Sequence, residues 1–140
     1  MRKIIFIAIG ALLVITSCKK ENSDVPAEPV KLLSGNWKIT KAVRNGTDLT
    51  ARFDFSGFRI NFSDSTYTLT NPVPFLVSKN GKWFFDDPQY PFRLSLQEQN
   101  QAAKISEFSF PVVNGVRNII ISFSPGCILN TYQYTLQPAD

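Results

Sequence analysis

Residues 58–69, Phe-Arg-Ile-Asn-Phe-Ser-Asp-Ser-Thr-Tyr-Thr-Leu, decide the fold of this chain. Apolar and polar side chains alternate on both sides of a central Ser-Asp-Ser, and a period of two is typical of half-buried β-strands. Ser and Asp favour turns, since their short side chains bond to nearby backbone groups. The stretch therefore predicts a β-hairpin with one apolar face.

Six further segments between residue 33 and the C-terminus show the same alternation. Their apolar positions are Trp37 and Ile39; Trp83 and Phe85; Phe92, Leu94 and Leu96; Phe108 and Phe110; Ile119, Ile121 and Phe123; and Tyr132, Tyr134 and Leu136. A weaker strand at Val73–Val77 is confined to an edge or a loop by Pro72 and Pro74. The pattern predicts an antiparallel up-and-down meander of about eight strands.

Turns and irregular segments separate these strands. Three Asn-Gly pairs supply the backbone conformations of tight hairpins, at 45–46, 80–81 and 114–115. Residues 97–104 lack a strand pattern and are expected to be a loop or one helical turn, with a slip in the alternation between Ile105 and Phe108. Residues 49–55 are expected to be a short helix or a lid-like loop.

The strands must bury their shared apolar face by closing into a barrel or by folding into a two-layer sandwich. Closure also removes unpaired edges, so we favour an all-β barrel and keep the β-sandwich as the alternative. The predicted inward side chains are bulky: Ile39, Phe58, Ile60, Phe62, Tyr67, Leu69, Phe92, Leu94, Ile121 and Tyr134. An eight-stranded barrel is filled by such side chains or holds one small ligand.

The N-terminus has the order of a bacterial lipoprotein signal peptide. Arg2 and Lys3 precede an apolar run at 4–15, which is shorter than the about 20 residues of a transmembrane helix. Residues 14–18, Val-Ile-Thr-Ser-Cys, resemble a lipobox. This implies cleavage before Cys18, with lipid attached to its sulfur and to its new amine. An ordinary secretory leader with an incidental cysteine is the alternative.

This interpretation divides the chain into a signal peptide at 1–17, a lipidated cysteine and flexible tether at 18–32, and one domain at 33–140. The tether is polar and proline-containing, so it cannot bury a core. Several acyl chains hold a protein stably on a bilayer. We therefore expect a monomer in the cell envelope, anchored to the outer membrane on its periplasmic or its surface face.

Gly35-Asn36-Trp37 at the head of the first strand resembles the Gly-x-Trp signature of lipocalin-type barrels. Together with Thr66–Leu69 and Asn80–Trp83, it resembles the lipocalin-like domains of Bacteroidota lipoproteins. The resemblance implies a lipocalin-like barrel in which Gly35 and Trp37 close one end. Lipocalins usually carry a late arginine that packs on this tryptophan, whereas the last arginine here is Arg117. The fold alone does not supply a function.

The composition excludes most catalytic chemistry. The chain has no histidine, which is the commonest general base and metal ligand. Asp86-Asp87 is too small a set for calcium, which takes about six to eight oxygens. Nothing brings Glu98 and Glu107 together as a glycosidase pair, and no phosphate loop, nucleophile elbow or zinc spacing is present. We therefore expect no enzyme, no metal and no cofactor.

Charge and cysteine content narrow the possible partners. Loss of Arg2 and Lys3 with the leader lowers the basic residues from 15 to 13, against 11 acidic residues. The basic residues are scattered, so no nucleic-acid surface is predicted. Cys127 has no partner once Cys18 is acylated. We expect it to be buried or half-buried, with a reactive thiol or an intermolecular bridge as the alternatives.

The densest aromatic stretch, residues 83–92, carries the main candidates for ligand binding. Phe84 and Tyr90 are predicted to form a stacking rim for a sugar or a peptide, although such rings are also common in cores. The further candidates are Trp83, Tyr67 and Tyr134. The leading hypothesis is non-catalytic binding of a small hydrophobic or extended ligand. A structural or protein-interaction module of an envelope complex and an inhibitor-like lipoprotein are the alternatives.

Overall fold

The computed structural model describes residues 30–139, so the predicted signal peptide, Cys18 and most of the predicted tether lie outside the described residues. Eight strands form the wall: β1 (Gly35–Arg44), β3 (Arg59–Ser63), β4 (Thr66–Thr70), β5 (Gly81–Phe85), β6 (Arg93–Glu98), β7 (Lys104–Ser109), β10 (Ile119–Phe123) and β11 (Tyr132–Pro138). Three short strands complete the set: β2 (Thr47–Asp48), β8 (Val112–Val113) and β9 (Val116–Arg117). Within residues 30–139, no helix is long and apolar enough to cross a bilayer.

The eight strands close into an antiparallel barrel. Each wall strand pairs with the next along the chain, and β11 pairs with β1 from Trp37 opposite Pro138 to Arg44 opposite Tyr132. A two-layer sandwich would leave the first and last strands unpaired with each other. The predicted all-β meander and its closure are therefore confirmed, and the sandwich alternative is wrong.

The barrel has two ends, called the Trp37 end and the Tyr132 end after residues on β1 and β11. The antiparallel order brings the start of β1, the β3–β4 turn, the β5–β6 connection and the β8–β9 hairpin to the Trp37 end. The β1–β3 connection, residues 71–80, the β6–β7 turn and the β10–β11 loop lie at the Tyr132 end.

The predicted alternation identifies most of the core. Eight of the expected inward side chains are buried: Ile39, Phe58, Ile60, Phe62, Tyr67, Leu94, Ile121 and Tyr134. Leu69 is half-buried against them. The prediction for Phe92 is wrong, because its side chain is 73% exposed. It precedes β6, and the Asp86 carboxylate accepts its N–H at 3.1 Å, which keeps Phe92 in the connection outside the barrel.

Aromatic rings pack the interior of the Trp37 end. Six rings follow one another at centroid distances of 4.8–6.0 Å: Phe62, Trp83, Phe85, Phe108, Phe110 and Trp37. Pairs at such separations contribute about 0.5–1.5 kcal/mol beyond their burial. This end of the barrel is therefore packed with side chains.

Residues 71–80, called the plug, follow β4 and fold into the Tyr132 end. Pro72 and Pro74 remove backbone donors that a strand would need, so the segment forms the loop that its prolines predict. Because this segment is not part of the wall, its apolar side chains are available to fill the space inside.

Phe75 is the central side chain of the plug. Its ring lies 5.0 Å from the Phe58 ring and 5.6 Å from the Tyr134 ring, measured between centroids. The Tyr134 hydroxyl donates a hydrogen bond to the Pro74 carbonyl, and Val77 is fully buried. The plug thus fills the mouth of the barrel that would otherwise admit a ligand.

The Asn-Gly turns are partly confirmed. Asn45 and Asn114 have φ values of 48° and 52° and are each followed by a glycine at positive φ, as tight hairpins require. Asn80-Gly81 does not form a hairpin turn, because neither residue has a positive φ. Instead, the Asn80 side chain accepts the Leu69 N–H at 2.8 Å. Asn80 and Gly81 therefore join the end of the plug to the start of β5.

Neither of the two segments that the sequence left irregular forms a helix. Residues 49–55 form turns, and residues 99–103 form the turn between β6 and β7. The predicted slip in the alternation is wrong, because β7 alternates regularly: Ser106 and Phe108 are buried, and Ile105 between the polar positions faces outward. The buried Ser106 hydroxyl donates to the Leu94 carbonyl at 3.2 Å. This hydrogen bond satisfies the polar side chain that β7 directs into the barrel.

The expectation that Cys127 is buried or half-buried is wrong, because its side chain is exposed. It lies in the β10–β11 loop beside Ile128, which is also exposed. Asn45 and Thr131 hold the base of this loop through hydrogen bonds of 3.0 and 2.9 Å. The tip projects from the Tyr132 end with no wall strand to cover it.

Candidate functional site

A polar groove lies on the barrel wall where β4 meets β5. These strands share only two residue pairs, Thr66 with Lys82 and Tyr67 with Gly81, whereas β3 and β4 share five. The short pairing leaves a depression of about 630 Å³ beside the wall. Its lining residues, called the polar groove, are Thr66, Tyr67, Thr68, Asn80, Gly81, Lys82, Gln97, Glu98, Gln99 and Asn100.

Tyr67 is the unusual member of the polar groove. Its side chain is 1% exposed, and its hydroxyl is buried without a hydrogen-bond partner in the described part of the chain. Burial, followed by the nearby Glu98 charge, raises the pKa of Tyr67 to about 12. A buried hydroxyl without a partner costs about 1–3 kcal/mol, so this hydroxyl calls for an explanation other than stability.

Gly81 makes the close approach around Tyr67 possible. A β-carbon at this position would overlap the Gln97 carbonyl oxygen and would lie 3.0 Å from the Tyr67 hydroxyl oxygen. Only glycine allows β5 to pass so close to another backbone. Gly81 therefore sets the shape of the groove, and its φ plays no part in this requirement.

Glu98 supports the groove from the end of β6. One carboxylate oxygen accepts the backbone N–H groups of Ser78 at 2.7 Å and Lys79 at 3.1 Å, and the Ser78 hydroxyl at 3.3 Å. The hydrogen bond from the Ser78 backbone is the main cause of the lowered pKa of Glu98, opposed by partial burial. This carboxylate holds the plug to the wall, and such an arrangement gives it a structural role.

The structure distributes the five predicted ligand-binding residues over different surfaces. Tyr67 and Tyr134 are buried inside the barrel, and Trp83 is partly buried in the ring cluster of the Trp37 end. Phe84 is exposed on the outer face of β5, and Tyr90 is exposed in the β5–β6 connection. Of these residues, only Tyr67 contributes to the polar groove.

Asp86 and Asp87 organise the β5–β6 connection. The Asp86 carboxylate accepts the N–H groups of Asp87, Phe92 and Arg93 at 3.0–3.1 Å, and these contacts lower its pKa, chiefly through Arg93. The Asp87 carboxylate accepts two further N–H groups of the connection. Within residues 30–139, no group of three or more potential metal ligands occurs.

Gly35 begins β1, and Trp37 follows two residues later on the same strand. Gly35 has a φ of 127° at the start of β1, a conformation that favours glycine. The Trp37 indole donates to the Leu33 carbonyl at 2.9 Å, and its ring packs on Phe110. The Arg117 guanidinium lies 4.8 Å from the centre of the Phe110 ring, so the arginine reaches the tryptophan through an intervening aromatic ring.

The Tyr132 end has little free space for an internal ligand. An apolar cavity of about 140 Å³ lies at the Tyr132 end, beside Phe55, Pro74 and Tyr134. Typical small-molecule sites occupy about 300 Å³ or more. The bulky inward side chains already indicated that the barrel interior could be filled, and the plug fills it further.

The polar groove itself was not predicted from the sequence. Its amide side chains belong to segments that the sequence marked only as turns, at 80–81 and 97–104. Their convergence depends on the short register between β4 and β5, which local alternation does not reveal.

Comparison with protein families gives one finding. Residues 16–137 match the family described as a domain of unknown function, DUF5004. The chain belongs to the DUF5004 family. The match covers every strand of this DUF5004 barrel except the last residue of β11, and it begins two residues before Cys18. No curated protein and no solved structure matches the chain.

Proposed function

We propose that this protein is a lipid-anchored, non-catalytic lipoprotein of the cell envelope that binds an extended glycan chain in the polar groove. The observation that carries the proposal is the buried Tyr67 hydroxyl, which lacks a partner in the described part of the chain and belongs to a residue of the groove. A ligand hydroxyl that accepts its proton would satisfy this donor, once the gap between β4 and β5 opens enough to expose the Tyr67 hydroxyl.

The packed interior favours the groove over the inside of the barrel. A small hydrophobic ligand would have to displace Phe75 from its contacts with Phe58 and Tyr134. Removing a large aromatic ring from such contacts costs about 3–5 kcal/mol. An external groove requires no such displacement.

The chemistry of the groove suits a neutral ligand rich in hydroxyl groups. Amide side chains both donate and accept hydrogen bonds, and four of them line the groove: Asn80, Gln97, Gln99 and Asn100. Phe84 lies two residues beyond Lys82 on the same outer face of β5, about 7 Å further along the strand. Its exposed ring provides an apolar surface against which a sugar ring can stack.

Membrane attachment rests on the N-terminal sequence. Residues 14–18 resemble a lipobox, and the family match already includes Cys18. Mass spectrometry of the mature chain purified from its own membrane tests this part of the proposal. We expect an N-terminal Cys18 that carries acyl groups, whereas a mature chain that retains Met1 contradicts the anchor.

Hydrogen exchange tests the location of the ligand. The purified full chain is mixed with a panel of neutral hexasaccharides built from glucose, mannose or N-acetylglucosamine. We expect slower exchange in the segments 66–68, 80–82 and 97–100, and no change in the plug around Phe75. Protection confined to residues 49–55 and to the plug around Phe75, which border the apolar cavity, would contradict binding in the groove.

A further inference from the structure

The β8–β9 hairpin at the Trp37 end exposes apolar side chains. Val112, Val113 and Val116 are each between 41% and 54% exposed. Val112 and Val113 are adjacent and point to opposite faces of a two-stranded ribbon, so both faces of the hairpin leave apolar surface exposed. The Phe92 carbonyl accepts the Phe108 N–H, which places Phe92 near the base of the hairpin. The Phe92 side chain is 73% exposed, more than any of the three valines.

The hairpin projects from a fixed base. The Asn118 N–H donates to the Pro111 carbonyl at 2.8 Å, across the neck of the hairpin. The Arg117 guanidinium donates to the Phe110 carbonyl at 2.8 Å and lies over the Phe110 ring. The exposed valines are therefore held away from the wall by defined contacts.

The chain enters the barrel at this same end. The Lys31 N–H donates to the Pro88 carbonyl in the β5–β6 connection at 3.0 Å, and Leu33 is fully buried beneath Trp37. Twelve residues separate Cys18 from Lys31 in the sequence, a length that reaches at most about 40 Å. A lipid on Cys18 would therefore tether the chain to the bilayer from the Trp37 end.

We propose that the Trp37 end seats on the bilayer that holds the lipid of Cys18, with the β8–β9 hairpin inserted at the headgroup boundary. The inference rests on the proposed lipid anchor. Exposed apolar side chains at such a boundary are buried about 5–10 Å deep, which covers Val112, Val113 and Val116. Arg117 on the hairpin and Arg93 beside Phe92 place cations at the depth of the lipid phosphates.

The opposite end provides an internal control. Ile128 and Leu129 are 83% and 78% exposed in the β10–β11 loop, and exposure alone would make them the better candidates for insertion. They lie at the Tyr132 end, far from the first described residues. In the proposed orientation they face away from the bilayer, beside the exposed thiol of Cys127.

Two labelled forms of the full lipidated chain test the orientation. One carries a fluorophore on native Cys127, and the other carries it on Asn114→Cys in a Cys127→Ser background. Both are reconstituted in phosphatidylethanolamine–phosphatidylglycerol vesicles that contain lipids with a nitroxide near the headgroup. We expect quenching at position 114 to exceed quenching at position 127 by about twofold or more, since only the hairpin reaches the depth of the nitroxide.

A hairpin variant separates seating from simple proximity. Val112→Ser, Val113→Ser and Val116→Ser together leave the anchor intact and should lower quenching at position 114 to the level at position 127. Equal quenching at both positions in the unmodified hairpin, or stronger quenching at 127, overturns the seating. Mass spectrometry of the same sample separates the two proposals: a chain without lipid on Cys18 overturns both, whereas a lipidated chain with equal quenching overturns the seating alone.

Discussion

Phe75 of the plug stacks on Tyr134 of β11, with ring centroids 5.6 Å apart and ring planes 18° apart. The Tyr134 hydroxyl also donates to the Pro74 carbonyl, so the contact combines apolar stacking with a directional bond. The plug is not part of the barrel wall, and this contact holds it in the barrel interior. This contact explains why an eight-stranded barrel of lipocalin type has little room for an internal ligand.

Phe75→Ala tests the packing of the plug. Removal of a large core ring costs about 3–5 kcal/mol, and the value should lie near the lower bound because Phe75 is half-buried. Phe84→Ala is the matched control, since its ring is exposed and surface changes usually stay within about 0.5 kcal/mol. The measurement is urea unfolding, and equal losses in the two variants would contradict a packed plug.

Tyr134→Phe and Tyr67→Phe form a matched pair with opposite expectations. Loss of the Tyr134 hydroxyl removes a hydrogen bond to the plug and should lower the free energy of unfolding by about 1 kcal/mol. Loss of the Tyr67 hydroxyl removes a buried group without a partner, so stability should be unchanged or should rise. Thermal and urea unfolding of the two variants measure these changes in stability. A stability loss in Tyr67→Phe as large as that in Tyr134→Phe would show that the hydroxyl serves the fold.

The sequence predicted the wall of the barrel because inward positions repeat every second residue. The sets on β3, β10 and β11 follow this period along the whole strand, and all lie at least partly inside. Phe92 was misplaced because alternation does not mark where a strand begins. Its exposure depends on the Asp86 carboxylate, a contact from six residues earlier in the chain.

The candidate site was beyond the reach of the sequence for a different reason. The polar groove exists because β4 and β5 share only two pairs, and register between strands is set by the barrel as a whole. Asn80-Gly81 was interpreted as a hairpin turn, although Gly81 is needed for the close approach to the Gln97 carbonyl. The role of a glycine in close packing leaves no local pattern.

Gly81→Ala tests that close approach. The added methyl group would overlap backbone atoms that cannot move independently, and overpacking of this kind costs about 1–3 kcal/mol or more. Gly57→Ala is the control, because a β-carbon there would meet only the flexible Asn71 side chain, at 3.0 Å. Urea unfolding should show a large loss for Gly81→Ala and a small one for Gly57→Ala. A Gly81→Ala variant as stable as the parent would contradict the described contact between β5 and β6.

Glu98 predicts a pH dependence of stability. Its pKa in the folded chain is lowered from the ordinary value of 4.5, so its carboxylate stabilises the fold above that value and loses this contribution as the pH falls through the folded pKa. Stability below pH 4.5 should therefore fall more steeply in the parent than in Glu98→Gln, which has no carboxyl group to protonate. The measurement is urea unfolding across this range, and parallel pH profiles would contradict the role of the Glu98 charge in holding the plug.

Isothermal titration calorimetry with the neutral hexasaccharide panel tests the central claim, that a glycan binds in the polar groove through Tyr67. We predict that at least one hexasaccharide binds the full-length parent and Tyr134→Phe with equal affinity. Its affinity for Tyr67→Phe should be about tenfold weaker, as expected for the loss of one hydrogen bond of about 1.4 kcal/mol. Equal affinity for Tyr67→Phe, or no binding of any hexasaccharide to the parent, would contradict the account.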